Sequence, residues 1–318
     1  MHITQGPQFN GKASKRLHVM AKPIGAACNI DCTYCYYLSK QDLLEYKKGC
    51  TPVMDEETLE TYIRQYIEGQ NTPEIIFSWQ GGEPTMLGLD YFKKIVEFQS
   101  KYKPEGVVIS NDLQTNGTLL NDDWCVFLKA NNFLVGLSID GPFDEWIQHD
   151  IGKVFVQYFE ASVETWMGRK NPLCTLGEIC GKGLAMEPNG DVFACDHYVY
   201  PEYKIGNIHH EKLDKLAYGP DQQKFGFAKT RSLTKQCQQC DYQFACYGEC
   251  PKNRFIRTKD GEPGLNYLCA GWKKFFSHAD KAMAYILRAT GNPVAHGKYS
   301  DAVLRQQAVK RPVFETKF

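Results

Sequence analysis

The stretch Cys28-Asn29-Ile30-Asp31-Cys32-Thr33-Tyr34-Cys35 follows directly on the apolar run His18–Ile24 and a turn of small residues, Gly25-Ala26-Ala27. The run reads as a β-strand, which places the three thiols in a loop at the strand's carboxyl end. The same unit recurs downstream. Strands are expected at Glu74–Trp79, Val107–Gln114 and Leu134–Ile139. Between them, Asp55–Gly69, Leu89–Tyr102 and Asp122–Asn131 carry apolar residues at helical spacing, with Asp55 and Asn121 or Asp122 as N-caps. Strand alternating with helix implies a parallel sheet, and in such sheets the sites lie at the carboxyl ends of the strands. All four of these ends carry distinctive loops: Cys28–Cys35, Gly81-Gly82-Glu83-Pro84, Gln114-Thr115-Asn116-Gly117 and Asp140-Gly141-Pro142.

Composition narrows the classes. At 318 residues the chain is long enough for two domains, and 37 basic against 37 acidic residues leave no net charge. No basic or acidic block stands out, so nucleic acid is not an expected partner. Mean hydropathy is −0.43, and no run approaches the roughly 18 apolar residues that cross a bilayer. With no apolar segment near the start, the cytoplasm is the expected compartment. The 13 cysteines are about 4% of the chain, below the roughly 8–10% of a disulfide scaffold but many for a reduced compartment. They cluster, which points to metal or redox chemistry. Only Cys50 and Cys125 stand apart, as ordinary isolated thiols.

Beyond the sheet, Phe143–Lys170 reads as a short helix, a strand-like Lys153–Phe159 and another helix. After Pro172 the pattern breaks into Cys, Gly and Pro punctuation. Gly183–Ala194 looks like a hairpin turning at Asn189-Gly190. This second domain is expected to be held by metal more than by a large core. A helix over Asn266–Ala289 closes it, and Gly291–Phe318 is a polar tail. The expected domains are therefore 1–170, 171–290 and the tail 291–318.

Three thiolates can hold three irons of a [4Fe–4S] cube and leave the fourth iron open to a small molecule. Zinc is the competing occupant, but it prefers four ligands and no fourth is near in sequence. The CxxxCxxC spacing with aromatic Tyr34 before the last cysteine resembles the radical S-adenosylmethionine superfamily. There the open iron chelates S-adenosylmethionine, and the resemblance places Tyr34, Gly82, Glu83, Ser138 and Asp140 around that molecule. Glu83 would accept from its ammonium group, and Ser138 and Asp140 would hydrogen-bond its ribose or carboxylate. Gln114, Asn116 and Gly117 could line the same mouth, though Asn116-Gly117 is also an ordinary turn.

The remaining cysteines resemble the auxiliary-cluster domain called SPASM, in which eight thiolates hold two further [4Fe–4S] clusters. By that resemblance Cys174, Cys180, Cys195 and Cys250 bind one cluster and Cys237, Cys240, Cys246 and Cys269 the other. Two zinc sites are compatible with the spacing alone. Cys195-Asp196-His197-Tyr198, Gln80–Pro84, Leu113–Thr118, Gly136–Pro142 and Gly264–Cys269 are similar to the anaerobic sulfatase-maturating enzymes, from about His18 to Phe276. That family converts a Cys or Ser of an unfolded or nascent sulfatase polypeptide into Cα-formylglycine. The resemblance implies an S-adenosylmethionine-derived radical that takes a hydrogen atom from Cβ, and Asp196 as proton acceptor. It also implies auxiliary clusters that receive an electron, and a donor such as flavodoxin or ferredoxin.

One departure is local. Pro142 is followed directly by Phe143-Asp144-Glu145-Trp146, which in the family lies well downstream. Four of the family's six βα units are present, so some 60 residues or more are missing at about 30 per unit. The expected fold is α/β: a partial (β/α) radical SAM barrel, interrupted near residues 142–143, followed by a small Cys-rich iron–sulfur domain. An interrupted barrel exposes backbone on an edge strand. Two other readings remain: a SPASM-type enzyme modifying another peptide, and an iron–sulfur protein impaired by the missing segment.

Overall fold

The computed structural model describes residues 15–44, 51–138, 157–181 and 183–309. They form two compact units, Met1–Gly141 with Gly181–Lys224, and Pro142–Cys180 with Phe225–Phe318.

The first unit is built on a seven-stranded sheet of order β4-β3-β2-β1-β5-β6-β7. Its strands are β1 (Val19–Ala21), β2 (Glu74–Trp79), β3 (Val108–Thr115), β4 (Phe133–Leu137), β5 (Leu184–Met186), β6 (Asp191–Phe193) and β7 (Lys204–Asn207). Strands β1 to β4 run parallel, joined through α1 (Glu56–Glu68), α2 (Leu89–Tyr102) and α3 (Asp122–Ala130). Asp55 and Asn121 cap α1 and α3, their side chains accepting from Thr58 N and Trp124 N. Alternation decides which face is apolar. Val19, Ala21, Ile75, Phe77, Trp79 and Leu113 turn one way and pack on Leu59, Tyr62, Ile63 and Tyr66 of α1 and Phe92 and Ile95 of α2. The opposite face carries polar groups: Ser78 opposes Asp112 in register, and its hydroxyl donates to the Asp112 carboxylate at 2.9 Å.

Three expectations are corrected here. The first boundary moves, because β5 pairs in parallel with β1 (Val19 opposite Leu184) and its hairpin, turning at Asn189-Gly190, extends the same sheet antiparallel. Leu184, Met186, Val192, Ile208, Leu213 and Leu216 are buried in the first unit's core. Residues 181–224 therefore belong with the barrel strands. Second, residues 157–159 open the helix α4 (Gln157–Trp166) and are not part of a strand. Burial at Ala161-Ser162 and Thr165-Trp166 follows a helix's repeat of three to four. Third, the second unit has an apolar core of its own. Helix α5 (Cys269–Ala289) turns Phe276, Ala279, Met283, Ala284 and Leu287 onto Trp166, Leu176, Tyr242 and Val294. That helix starts three residues later than expected, because the Asn266 side chain accepts from Leu268 N at 2.7 Å and holds a turn first. The tail contains a further helix, α6 (Asp301–Val309).

The junction at 142–143, Asp140 and Cys50 lie outside the described residues. Up to that junction, β4 stands at the end of the sheet and pairs with β3 alone among the described residues. Leu134 is 74% exposed and Leu137 50%. Among the described residues, this open edge agrees with a partial barrel.

Candidate active site

The thiol loop is tied down by its neighbours. After β1 the chain turns at Lys22–Gly25, and Cys28, Cys32 and Cys35 follow, all partly exposed. Cys35 N donates to Cys32 O at 3.0 Å. Asn116, just past β3, donates from Nδ2 to the Cys28 sulfur at 3.8 Å and to Asn29 Oδ1 at 2.9 Å. Asn29 in turn donates to Thr118 Oγ1 at 2.9 Å. Asn116 thus has a role beyond the turn, reaching the first thiol from the end of β3, two strands away in the sheet. Tyr34 is 67% exposed on the same loop. Ser138 Oγ accepts from Gln114 Nε2 at 2.9 Å at the open edge.

Gly82 and Glu83 lock this loop to the sheet. Gly82 N donates to Gly25 O at 2.7 Å and Glu83 N to Ala27 O at 2.8 Å. A Cβ on Gly82 would stand 1.7 Å from Ala27 O, so the glycine is required by backbone of the chain itself. Glu83 is 1% exposed. Its Oε1 accepts from Thr85 N, Thr85 Oγ1 and Thr115 Oγ1, and its Oε2 from Asn116 N. Only Oε2 keeps capacity for another donor such as an ammonium group. Gly82→Ala is expected to destabilise the chain at the upper end of the roughly 1–3 kcal/mol of overpacking. Chemical denaturation checks this, and a change under about 0.5 kcal/mol would contradict the close approach.

Asp196 is 5% exposed and heavily partnered. Lys22 Nζ lies 2.8 Å from its Oδ1, and Tyr36 Oη donates to its Oδ2 at 3.0 Å. Lys22, itself 1% exposed, also sits 3.9 Å above the Tyr37 ring. The Tyr37 hydroxyl donates to the buried Glu187. Burial pushes the Asp196 carboxyl up, but the Lys22 ammonium, aided by His197 and Tyr36, outweighs it and holds the group below the usual carboxylate range. The segment 22–37 therefore carries the three thiols and also grips Asp196, which brings the carboxylate to the thiol loop. Lys22, Tyr36 and Glu187 were not singled out in the sequence. A lysine ending an apolar run was the available signal for Lys22.

In the second unit Cys237, Cys240, Cys246 and Cys269 line one small cavity with Tyr242, Trp272 and Phe276. Burial pushes the Cys246 thiol up to about 12, reinforced by Cys237, Cys269 and Cys240. Cys180 interacts with Cys250 and Cys174, and burial pushes its thiol up to about 11. Cys195 lies in the first unit, at the end of the β6 hairpin. Partly buried thiols that raise one another's pKa in this way ionise together when bound metal cations share their charge. Among the described residues no group of three or more His, Cys, Asp or Glu is gathered closely enough for one metal ion. Each thiolate of a four-iron cluster binds its own iron, so its cage is wider than that of a single ion. The donor set fits iron–sulfur clusters.

The family model for the radical SAM superfamily matches residues 23–188, and that for SPASM, an iron–sulfur cluster-binding domain, matches residues 174–241. The chain is 36% identical to a serine-type anaerobic sulfatase-maturating enzyme of Bacteroides thetaiotaomicron, over 89% of this chain and 94% of that protein. The alignment spans 391 positions but only 89% of this chain, about 283 of its 318 residues, so 391 less about 283 leaves about 108 of those positions with no counterpart here. A cysteine-type enzyme of Clostridium perfringens is 26% identical over 83% of this chain and 96% of that one. The solved structure of native anSMEcpe with bound AdoMet superposes with a TM-score of 0.73 at 25% identity, covering 85% of this chain and 99% of that one. By sequence, fold and thiol pattern, the chain belongs to the radical SAM superfamily and, within it, to the anaerobic sulfatase-maturating enzymes.

Proposed function

We propose that this chain oxidises a Ser or Cys side chain of a sulfatase polypeptide to Cα-formylglycine, with Asp196 as proton acceptor. The observation that carries this reading is the Lys22–Asp196–Tyr36 contact, which joins a buried carboxylate to the segment bearing the three-thiol loop. Serine-type and cysteine-type enzymes are both among the relatives.

The ligand assignment follows the donor sets. Cys28, Cys32 and Cys35 would hold the cluster that binds S-adenosylmethionine. Cys174, Cys180, Cys195 and Cys250 would hold one auxiliary cluster, and Cys237, Cys240, Cys246 and Cys269 the other. When bound, S-adenosylmethionine at the first cluster supplies the hydrogen-atom abstraction, and the auxiliary clusters supply an electron acceptor.

The chain's own residues perform the remaining work. Lys22 keeps Asp196 ionised and therefore able to accept the hydroxyl or thiol proton of the target. Each Asp196 oxygen retains acceptor capacity beyond its present partner. Asn116 and Gly82 hold the thiol loop against the second and third strands, and Ser138 and Gln114 offer polar groups at the open edge. An electron donor such as flavodoxin or ferredoxin belongs to the same reading, as does the cytoplasm. No helix among the described residues is long and apolar enough to cross a membrane.

Anaerobic reconstitution tests the reading. The expected outcome is about twelve irons per chain, three clusters of four. Reduced with S-adenosylmethionine and a sulfatase-derived Ser or Cys peptide, the chain forms 5′-deoxyadenosine and a hydrazide-trapped aldehyde. Loaded iron without deoxyadenosine would instead identify a chain disabled by its shortened barrel. Deoxyadenosine without aldehyde would point to a different peptide.

A further inference from the structure

Cys246 and Cys250, which the reading above assigns to different auxiliary clusters, are separated only by Tyr247, Gly248 and Glu249. All three adopt the left-handed region, with φ of 43°, 69° and 54°. For Tyr247 and Glu249 this conformation is strained and persists only where the surroundings impose it.

One guanidinium bonds to all three carbonyls. Arg254 Nη2 donates to Tyr247 O at 2.7 Å and to Glu249 O at 3.0 Å, and Nε donates to Gly248 O at 3.0 Å. Nη1 donates to Lys229 O at 2.8 Å and Ser232 Oγ at 3.2 Å. All five N–H donors of the fork are thereby used. The fit is close, since a Cβ on Gly248 would stand 2.9 Å from Nη2 and 3.0 Å from Cζ. Glu249 is pinned separately, its Oε2 accepting from Asn253 at 2.8 Å and Asn266 at 2.6 Å.

The loop that Arg254 clamps runs from one ligand set to the other, and its charge interacts electrostatically with thiols of both: Cys237 and Cys246 from one, Cys180 and Cys250 from the other. Lys229 is a natural contrast. It is fully buried, donates to Cys174 O at 3.0 Å and Thr175 O at 2.7 Å, and interacts electrostatically with Cys180, Cys174 and Cys250.

We propose that Arg254 is a positioning residue shared by the two auxiliary clusters, clamping the loop between their ligands and raising both reduction potentials. The proposal rests on the ligand assignment above. Reducing a cluster adds negative charge, so a fixed cation favours the reduced form, and hydrogen bonding around the ligands reinforces this. Lys229 acts in the same sense on the single cluster that it faces.

The test uses the full chain with Cys28, Cys32 and Cys35 replaced by alanine, so that the auxiliary clusters alone give electron paramagnetic resonance signals during redox titration. About eight irons are expected, and substantially fewer in this parent would sink the ligand assignment itself. In R254Q both potentials fall, each by at least a tenfold change in the one-electron equilibrium, about 59 mV. R254K, which keeps the charge, restores at least half of that shift. K229M lowers one potential only. If R254Q loses about eight irons together, R254K, which keeps the charge, is expected to retain them, and an R254K chain that also loses them would overturn the proposal. A loss of about four irons, a shift in one cluster alone, unchanged potentials, or an R254K variant no better than R254Q would each overturn the proposal.

Discussion

Replacing Cys32 by alanine is expected to lower bound iron from about twelve to about eight per chain and to bring S-adenosylmethionine cleavage to the assay floor, a loss of more than about 10³-fold. Three thiols are the fewest that hold a cube while leaving an iron open, so there is no spare ligand in the loop. The loop cannot readily recruit one. Its backbone is held by Gly82 and Glu83 against Gly25 and Ala27, and Cys28 is oriented by Asn116. The two isolated cysteines supply the control: Cys50→Ser and the exposed Cys125→Ser should leave iron and cleavage unchanged. Iron counting with deoxyadenosine chromatography decides between outcomes. Retention of all twelve irons and of cleavage in Cys32→Ala would remove the three-thiol loop from the cofactor site. Loss of all twelve would indicate a folding defect and not a missing ligand.

The features visible in the sequence are those encoded over short distances. Helix α2 was expected at the residues where it occurs, and β2 at Glu74–Trp79, because each carries one clear period between turn signals. The caps Asp55 and Asn121 were readable for the same reason. The cysteine loop was readable because ligand spacing is a one-dimensional code. What stayed hidden depends on long-range pairing. Nothing in residues 184–186 announces that they will pair with residues 19–21, so a boundary at residue 170 does not foresee that a later segment returns to the first unit's sheet. Lys22 gains its meaning from Asp196, which arrives with the β6 hairpin. Arg254 gains its meaning from three carbonyls whose left-handed conformation is not predictable from Tyr and Glu. Glu83 shows the opposite case. Its carboxylate suggested a ligand contact, and the structure shows most of its acceptor capacity taken by Thr85, Thr115 and Asn116.

Asp196→Asn should separate the two halves of the reaction. The amide has nearly the same size but cannot take a proton at neutral pH, so aldehyde formation is expected to fall by about 10²–10⁴-fold, the ordinary contribution of a positioned base. Iron content and deoxyadenosine formation should remain, because Asp196 is not a ligand. The substitution also leaves Lys22 as an unpaired ammonium at 1% exposure, and breaking a buried pair from one side costs about 3–5 kcal/mol. A loss of activity could therefore come from instability alone. The partner variant distinguishes the two causes. Lys22→Met breaks the same pair and should destabilise to a similar extent, whereas Lys22→Met with Asp196→Asn removes both charges and should recover part of that stability. If Asp196 is the proton acceptor, the double variant regains stability without regaining aldehyde formation. If its role is only to neutralise Lys22, activity returns with stability. Denaturation midpoints and aldehyde yields measured on the same four proteins decide which group of this pair handles the proton.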